Sequence, residues 1–167
     1  MKRRMLVASF ALAVLAAMGI ASSVVAGESV PFQGTLEGID QNLTPPPLVS
    51  IHGVGEGVAT QLGRFTYDFQ GTVDFRNTPP NPPQGVGTLI LTAANGDTLV
   101  AGILGSSAPV IPGELIEVTE VAVIIDGTGR FAGATGEFTI KRLVYQDTRF
   151  TIGSFEGAIS APGAGHR

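Results

Sequence analysis

The sequence predicts an all-β domain, a closed antiparallel eight-stranded barrel, preceded by a signal-peptide helix. Three observations carry that prediction. Residues 64–75 alternate strictly, with Phe65, Tyr67, Phe69, Val73 and Phe75 on one face and Arg64, Thr66, Asp68, Gln70, Thr72 and Asp74 on the other; this is a strand with one dry and one wet face. About eight such segments follow one another between Gly and Pro clusters, and no helical period of useful length interrupts them. Eight strands joined by short turns in a chain of this size point to a closed antiparallel barrel or a sandwich, and the barrel is favoured because closure removes the exposed edges.

The N-terminus precedes the barrel and reads differently. Met1-Lys2-Arg3-Arg4 leads into an apolar run over 5–20 and then the small residues Ala21-Ser22-Ser23-Val24-Val25-Ala26. This is the layout of a secretory signal peptide, with Val24 and Ala26 at the positions a signal peptidase reads, so cleavage is expected after Ala26. The alternative is an uncleaved anchor, since the run nearly reaches the roughly 20 residues that span a bilayer, but Ser22 and Ser23 break it. The expected organisation is therefore a signal peptide at 1–26, a barrel domain at 27–160 and a disordered tail at 161–167, in a secreted or periplasmic protein.

Within the barrel, strands are expected at about 30–36 and 54–61, then at 64–75. Next come 86–94 and 99–104, joined by Asn95-Gly96-Asp97, where Asn-Gly predicts a type I′ turn with positive φ at both central positions. A strand from 115 to 125 has no polar face over 121–125 and closes in the turn cluster 126–129. Residues 134–146 alternate, with Phe138, Ile140 and Val144 opposite Thr135, Glu137, Thr139 and Lys141. In 148–160 the apolar parity switches from Phe150 and Ile152 to Phe155 and Ile159, which predicts a bulge at Gly153-Ser154. The Pro-rich stretches 44–47 and 78–83 cannot sit in central strands and read as rim loops; their functional alternative is a polyproline ligand.

Composition narrows the function classes. With no Cys there is no disulfide framework, thiolate metal site or Cys nucleophile. Loss of Lys2, Arg3 and Arg4 from the ten basic residues leaves seven against fourteen acidic ones, a formal charge of −7. A domain of that charge repels phosphate backbones and anionic lipid, so neither nucleic acid nor a membrane is an expected partner after cleavage.

The segment Asp126-Gly127-Thr128-Gly129-Arg130-Phe131-Ala132-Gly133-Ala134-Thr135-Gly136, followed by a long strand and Gly153-Ser154-Phe155-Glu156-Gly157, resembles the glycine-rich hairpin of the allene oxide cyclase and dirigent-protein barrels. Residues 57–66 also resemble a pattern of secreted bacterial proteins of that build. The likeness covers about 54–160 and is specific in the hairpin. It implies a calycin-like eight-stranded barrel with an apolar cavity, commonly assembled into trimers, and it transfers no active-site residue. Fold alone is a poor warrant for function.

Among the candidate sites, Gly127, Gly129, Gly133 and Gly136 have the composition of a phosphate loop, but a strand pattern follows where that loop needs a helix, so they read as a structural hairpin with Arg130 paired to a nearby carboxylate at the rim. The two histidines are His52 and His166, too few for a zinc site, and no Gly-x-Ser-x-Gly elbow occurs. His52 reads as a half-exposed loop residue. Glu117 falls on the opposite face from Glu114 and Glu120, which are expected outward as solvated charge. Calcium binding through Asp40, Asp97 or Asp126 lacks a loop with ligand spacing.

Arg142 shares a face with Phe138, Ile140 and Val144. If that face is the interior, the guanidinium needs a carboxylate or an anionic ligand head, with Tyr67 and Glu156 as neighbours; if the strand passes the rim, Arg142 reaches water. Tyr67, Arg142 and Glu156 are thus the candidate cavity residues, with no catalytic residue, metal or cofactor assigned. The expected function is an exported barrel that binds a small apolar or amphipathic molecule or serves as an envelope or extracellular interaction module, with a homotrimer covering the outer apolar faces. The alternative is a cyclase- or isomerase-like enzyme that steers a reactive intermediate in the cavity. An inhibitor or adhesin acting through the Pro-rich loops is a third class.

Overall fold

Eight strands run alternately up and down: β1 (Ser29–Asn42), β2 (Leu48–Ala59), β3 (Gly63–Asp74), β4 (Gln84–Ala93), β5 (Thr98–Ile111), β6 (Leu115–Gly127), β7 (Gly136–Tyr145) and β8 (Phe150–Ser160). Each pairs antiparallel with its neighbours in sequence, and β8 pairs with β1 to close the barrel. This computed structural model describes residues 28–160 other than Asn77, together with Pro162 and Gly163. The signal-peptide segment, its cleavage site, His166 and most of the tail lie outside the described residues; within the tail, the Gly163 amide donates to the Arg130 carbonyl.

The turns after β1, β3, β5 and β7 gather at one end, called here the upper rim, where both Pro-rich stretches lie. The lower end is packed shut. Phe32, Phe65, Phe138 and Phe155 fill it with ring centroids 5.1–6.1 Å apart, at edge-on or tilted angles that suit aromatic quadrupoles. Phe131, from the 3-10 turn Gly129–Phe131, is fully buried and seals that end with Leu62. Each such side chain contributes about 1.5–3 kcal/mol on burial.

The glycine-rich hairpin is structural, as its sequence indicates. Gly129, Gly133 and Gly136 have φ of 56°, 72° and 133°, where a side chain is strained, and a Cβ on Gly127 would collide with Phe131. Arg130 lies on the Phe131 ring, donates to the Leu62 carbonyl at 3.1 Å and stands 3.7 Å from Asp97.

Several local expectations need correction. The Asn95-Gly96 turn is not type I′: only Gly96 has positive φ, at 88°, and Ala93 bonds both Gly96 and Asp97, which makes a three-residue loop with a single left-handed position. β8 has no bulge at Gly153-Ser154. Its ladders to β1 and β7 run without a shift, Ile152 points out and Phe155 in, and Phe150 packs outside against Tyr145 with centroids 6.2 Å apart. The irregularities lie instead in the β5–β6 ladder, where Ile125 is an extra residue opposite the Val100–Ala101 step and Val110 an extra residue between Pro109 and Ile111. β1 and β2 reach further toward the upper rim than 30–36 and 54–61, and His52 therefore sits on a strand, facing outward 3.1 Å from Asp68.

Candidate functional site

The upper half of the barrel interior is lined differently from the lower. Asp40 on β1, Glu120 on β6 and Arg142 on β7 all point inward, and their side chains are only 8–9% exposed. Arg142 Nε donates to Glu120 Oε2 at 2.9 Å and Nη2 to Oε1 at 3.0 Å, a two-pronged pair. Its Nη1 donates to Asp40 Oδ2 and to Thr151 Oγ1. Burial works against the guanidinium charge, but the two carboxylates outweigh it and hold the Arg142 pKa above its ordinary value.

Inward glycines make room for this cluster. On one side each of Asp40, Glu120 and Arg142 has a glycine as cross-strand partner: Gly53, Gly105 and Gly153. A Cβ on those glycines would stand 2.6 Å from Asp40 Oδ1, 2.6 Å from Glu120 Cγ and 2.5 Å from Arg142 Cβ. Gly153 matters most, because β8 separates β7 from β1 and only a bare position there lets Arg142 reach across to Asp40.

Above the cluster opens a cavity of 120 Å³, with apolar walls that include Val49, Ile51, Phe69, Ile103 and Val118, and with Phe75, Pro83, Gln146 and Arg149 at its mouth. Below it a hollow of 20 Å³ is bounded by Asp40, Tyr67, Glu120 and Arg142. The Tyr67 hydroxyl is buried there with no protein hydrogen-bond partner. Desolvation, with a further contribution from Asp40, pushes its pKa well above the usual phenol value despite Arg142.

That shift has a pH signature. A raised folded pKa means stability that is fully present below the unfolded value of about 10 and is lost as pH rises beyond it. Tyr67→Phe is expected to remove this alkaline loss and, since the hydroxyl is unpaired, to leave neutral-pH stability unchanged or raised by up to about 1 kcal/mol. Urea midpoints of both proteins between about pH 8 and pH 11 check it; parallel curves would show that Tyr67 ionises as freely folded as unfolded.

Of the sequence-derived cavity residues, the structure brings Tyr67 and Arg142 together and leaves Glu156 out. Glu156 is exposed on the outer wall, opposite Gln33 on β1 and Thr139 on β7, because the unbroken parity of β8 turns it away from the interior. Glu120 is the reverse correction: expected outward, it is buried and holds Arg142, while Glu117 is exposed. Asp40, weighed only as a calcium ligand at the rim, is the second carboxylate. Among the described residues no group of three or more Asp, Glu or His is placed to hold a metal.

No family model and no curated protein matches the sequence. Among solved structures the chain is similar to the pterocarpan synthase dirigent protein GePTS1, with a TM-score of 0.54 and 13% identity over 93% of this chain and 98% of that one. At that identity the likeness speaks for the fold, and the chain has the dirigent-type closed eight-stranded barrel that its glycine-rich hairpin resembles.

Proposed function

We infer that the protein binds a small, mainly apolar molecule in the upper half of the barrel, with the polar group of the ligand directed down onto Asp40, Glu120 and Arg142. The observation that carries this reading is the asymmetry of the interior: aromatic packing closes the lower end, whereas the upper end keeps an apolar cavity with a buried charged floor. The enclosed volume of 120 Å³ is close to the roughly 150 Å³ that accepts a benzene ring, so it suits one ring, with any larger part projecting past the rim. The N-terminal segment extends the reading to an exported protein. A second reading, an enzyme that shapes a reactive intermediate in the same cavity, draws support from the two buried carboxylates and the phenol around a water-poor space.

Gly85 supplies the test. It lines the cavity from β4, and a Cβ there makes only ordinary contacts, 3.4 Å to Val73 Cγ2 and 3.9 Å to two carbonyl oxygens. Gly85→Leu is therefore expected to fill the cavity while the barrel stays folded. Native mass spectrometry of the protein purified without detergent is expected to show a discrete added mass that Gly85→Leu loses. An added mass retained by Gly85→Leu would place the ligand elsewhere, and a ligand chemically altered during incubation with the protein would favour the enzyme reading.

A further inference from the structure

The occupant of the upper cavity can be narrowed by charge, an inference that rests on that cavity being a ligand site. Asp40 and Glu120 bring two carboxylates and Arg142 one guanidinium, so by formal count the buried cluster has one more acidic than basic group. An uncompensated charge in a dry interior is costly, and a partner that neutralises it is favoured. Arg142 is already committed to Glu120, Asp40 and Thr151, which leaves little to attract an incoming anion while two carboxylates repel it.

A separate observation points the same way. The Tyr67 hydroxyl, on a residue 7% exposed, has no protein partner, and Tyr67 lines the 20 Å³ hollow together with Asp40, Glu120 and Arg142. That space exceeds the roughly 10–15 Å³ that one water needs, and an ammonium group is of similar size. Phe69 adds an aromatic face, already 6.0 Å from the Arg142 guanidinium carbon, of the kind that attracts cations. Arg149, the other charged residue lining the cavity, is half-buried at the mouth, where water screens it.

We propose that the cavity and the hollow beneath it, which share Asp40, Phe69, Ile103, Glu120 and Arg142 as walls, together bind a small organic monocation: a primary ammonium group in the hollow among Asp40, Glu120 and the Tyr67 hydroxyl, on an apolar body the size of one ring in the cavity above. The ammonium donates to the two carboxylates and the phenol oxygen, and its charge completes the cluster. Specificity then follows from charge more than from shape, since an alcohol of the same size donates one hydrogen bond and leaves the excess charge standing.

Calorimetric titration of the purified protein with benzylamine, benzyl alcohol and benzoate at neutral pH tests this. Benzylamine is expected to bind about tenfold more tightly than benzyl alcohol, and benzoate not at all. Glu120→Gln, which keeps an acceptor for Arg142 but removes the excess charge, is expected to bring amine and alcohol within about twofold; a thermal melt verifies that it is folded, and Asp40→Asn gives the same comparison if it is not. Benzyl alcohol binding as tightly as benzylamine would overturn the cation and show that a proton balances the cluster, with the ligand site itself intact. Failure of all three probes to bind would overturn the ligand site as well. A full amine preference in the folded charge-neutral variant would also overturn the proposal.

Discussion

Arg142→Met is expected to cost about 3–5 kcal/mol of stability, because it leaves the Asp40 and Glu120 carboxylates buried with no cation between them. The lost hydrogen bonds are the smaller part of that cost; the larger part is two desolvated charges facing each other in a closed barrel. Arg142→Lys is expected to recover only part of it, since one ammonium cannot span both oxygens of Glu120 together with Asp40 and Thr151. The informative comparison is the triple variant Asp40→Leu, Glu120→Leu, Arg142→Met. Replacing a whole buried ionic cluster with apolar side chains is often neutral, or stabilising by about 1–4 kcal/mol. A triple variant as stable as the original protein, beside a badly destabilised Arg142→Met, means that the cluster serves the site and not the fold. Urea unfolding with an unchanged slope measures both. A cost below about 1 kcal/mol for Arg142→Met would show that water already reaches the cluster.

The barrel itself was legible because most of its wall obeys period-two alternation. β3 is the clearest case: over 64–70 the buried Phe65, Tyr67 and Phe69 alternate with the more exposed Arg64, Thr66, Asp68 and Gln70, as parity requires. The site was only half legible because it is built where parity inverts. In β1 the apolar Ile39 faces out and Asp40 faces in; in β6 Val121 and Val123 face out while Glu120 faces in. A reading that sends charge outward truncates β1 at Leu36 and turns Glu120 to solvent. For Arg142, Phe138, Ile140 and Val144 fixed the face but left open whether the guanidinium lay inside or reached water past the rim; it lies inside, with Glu120 and Asp40 as its partners and not Glu156. A further signal was available in the glycines. Gly53, Gly105 and Gly153 stand opposite the three charged residues, as Gly55 stands opposite Tyr67 and Gly57 opposite Phe65. Reading it requires the strand register, which local pattern does not supply; Glu156 directly follows the inward Phe155, so alternation alone turns it outward.

The lower core makes the opposite demand on the chain. Phe138→Ala is expected to destabilise the protein by about 3–5 kcal/mol, toward the upper part of that range. Phe138 is 2% exposed, its ring packs on Phe32 and Phe155 at 5.1 and 5.3 Å, and Phe131 closes the end of the barrel beneath it. Its cross-strand partners are Ala122 and Gly157, too small to fill the void, and the Phe32 and Phe155 rings beside it are buried and held by their own packing. Collapse would have to move closed ladders on both sides, and a cavity that cannot collapse keeps its full cost. Arg142 lies four residues along the same strand, roughly 13 Å away at strand spacing, with Ile140 between them. Phe138→Ala and Arg142→Met should therefore add to within about 0.5 kcal/mol. Below its melting transition, Phe138→Ala should bind ligand in the upper cavity with an affinity within about twofold of the original protein. Affinity that falls along with stability would instead mean that the aromatic packing sets the position of the charged floor, and that the two halves of the interior work as one unit.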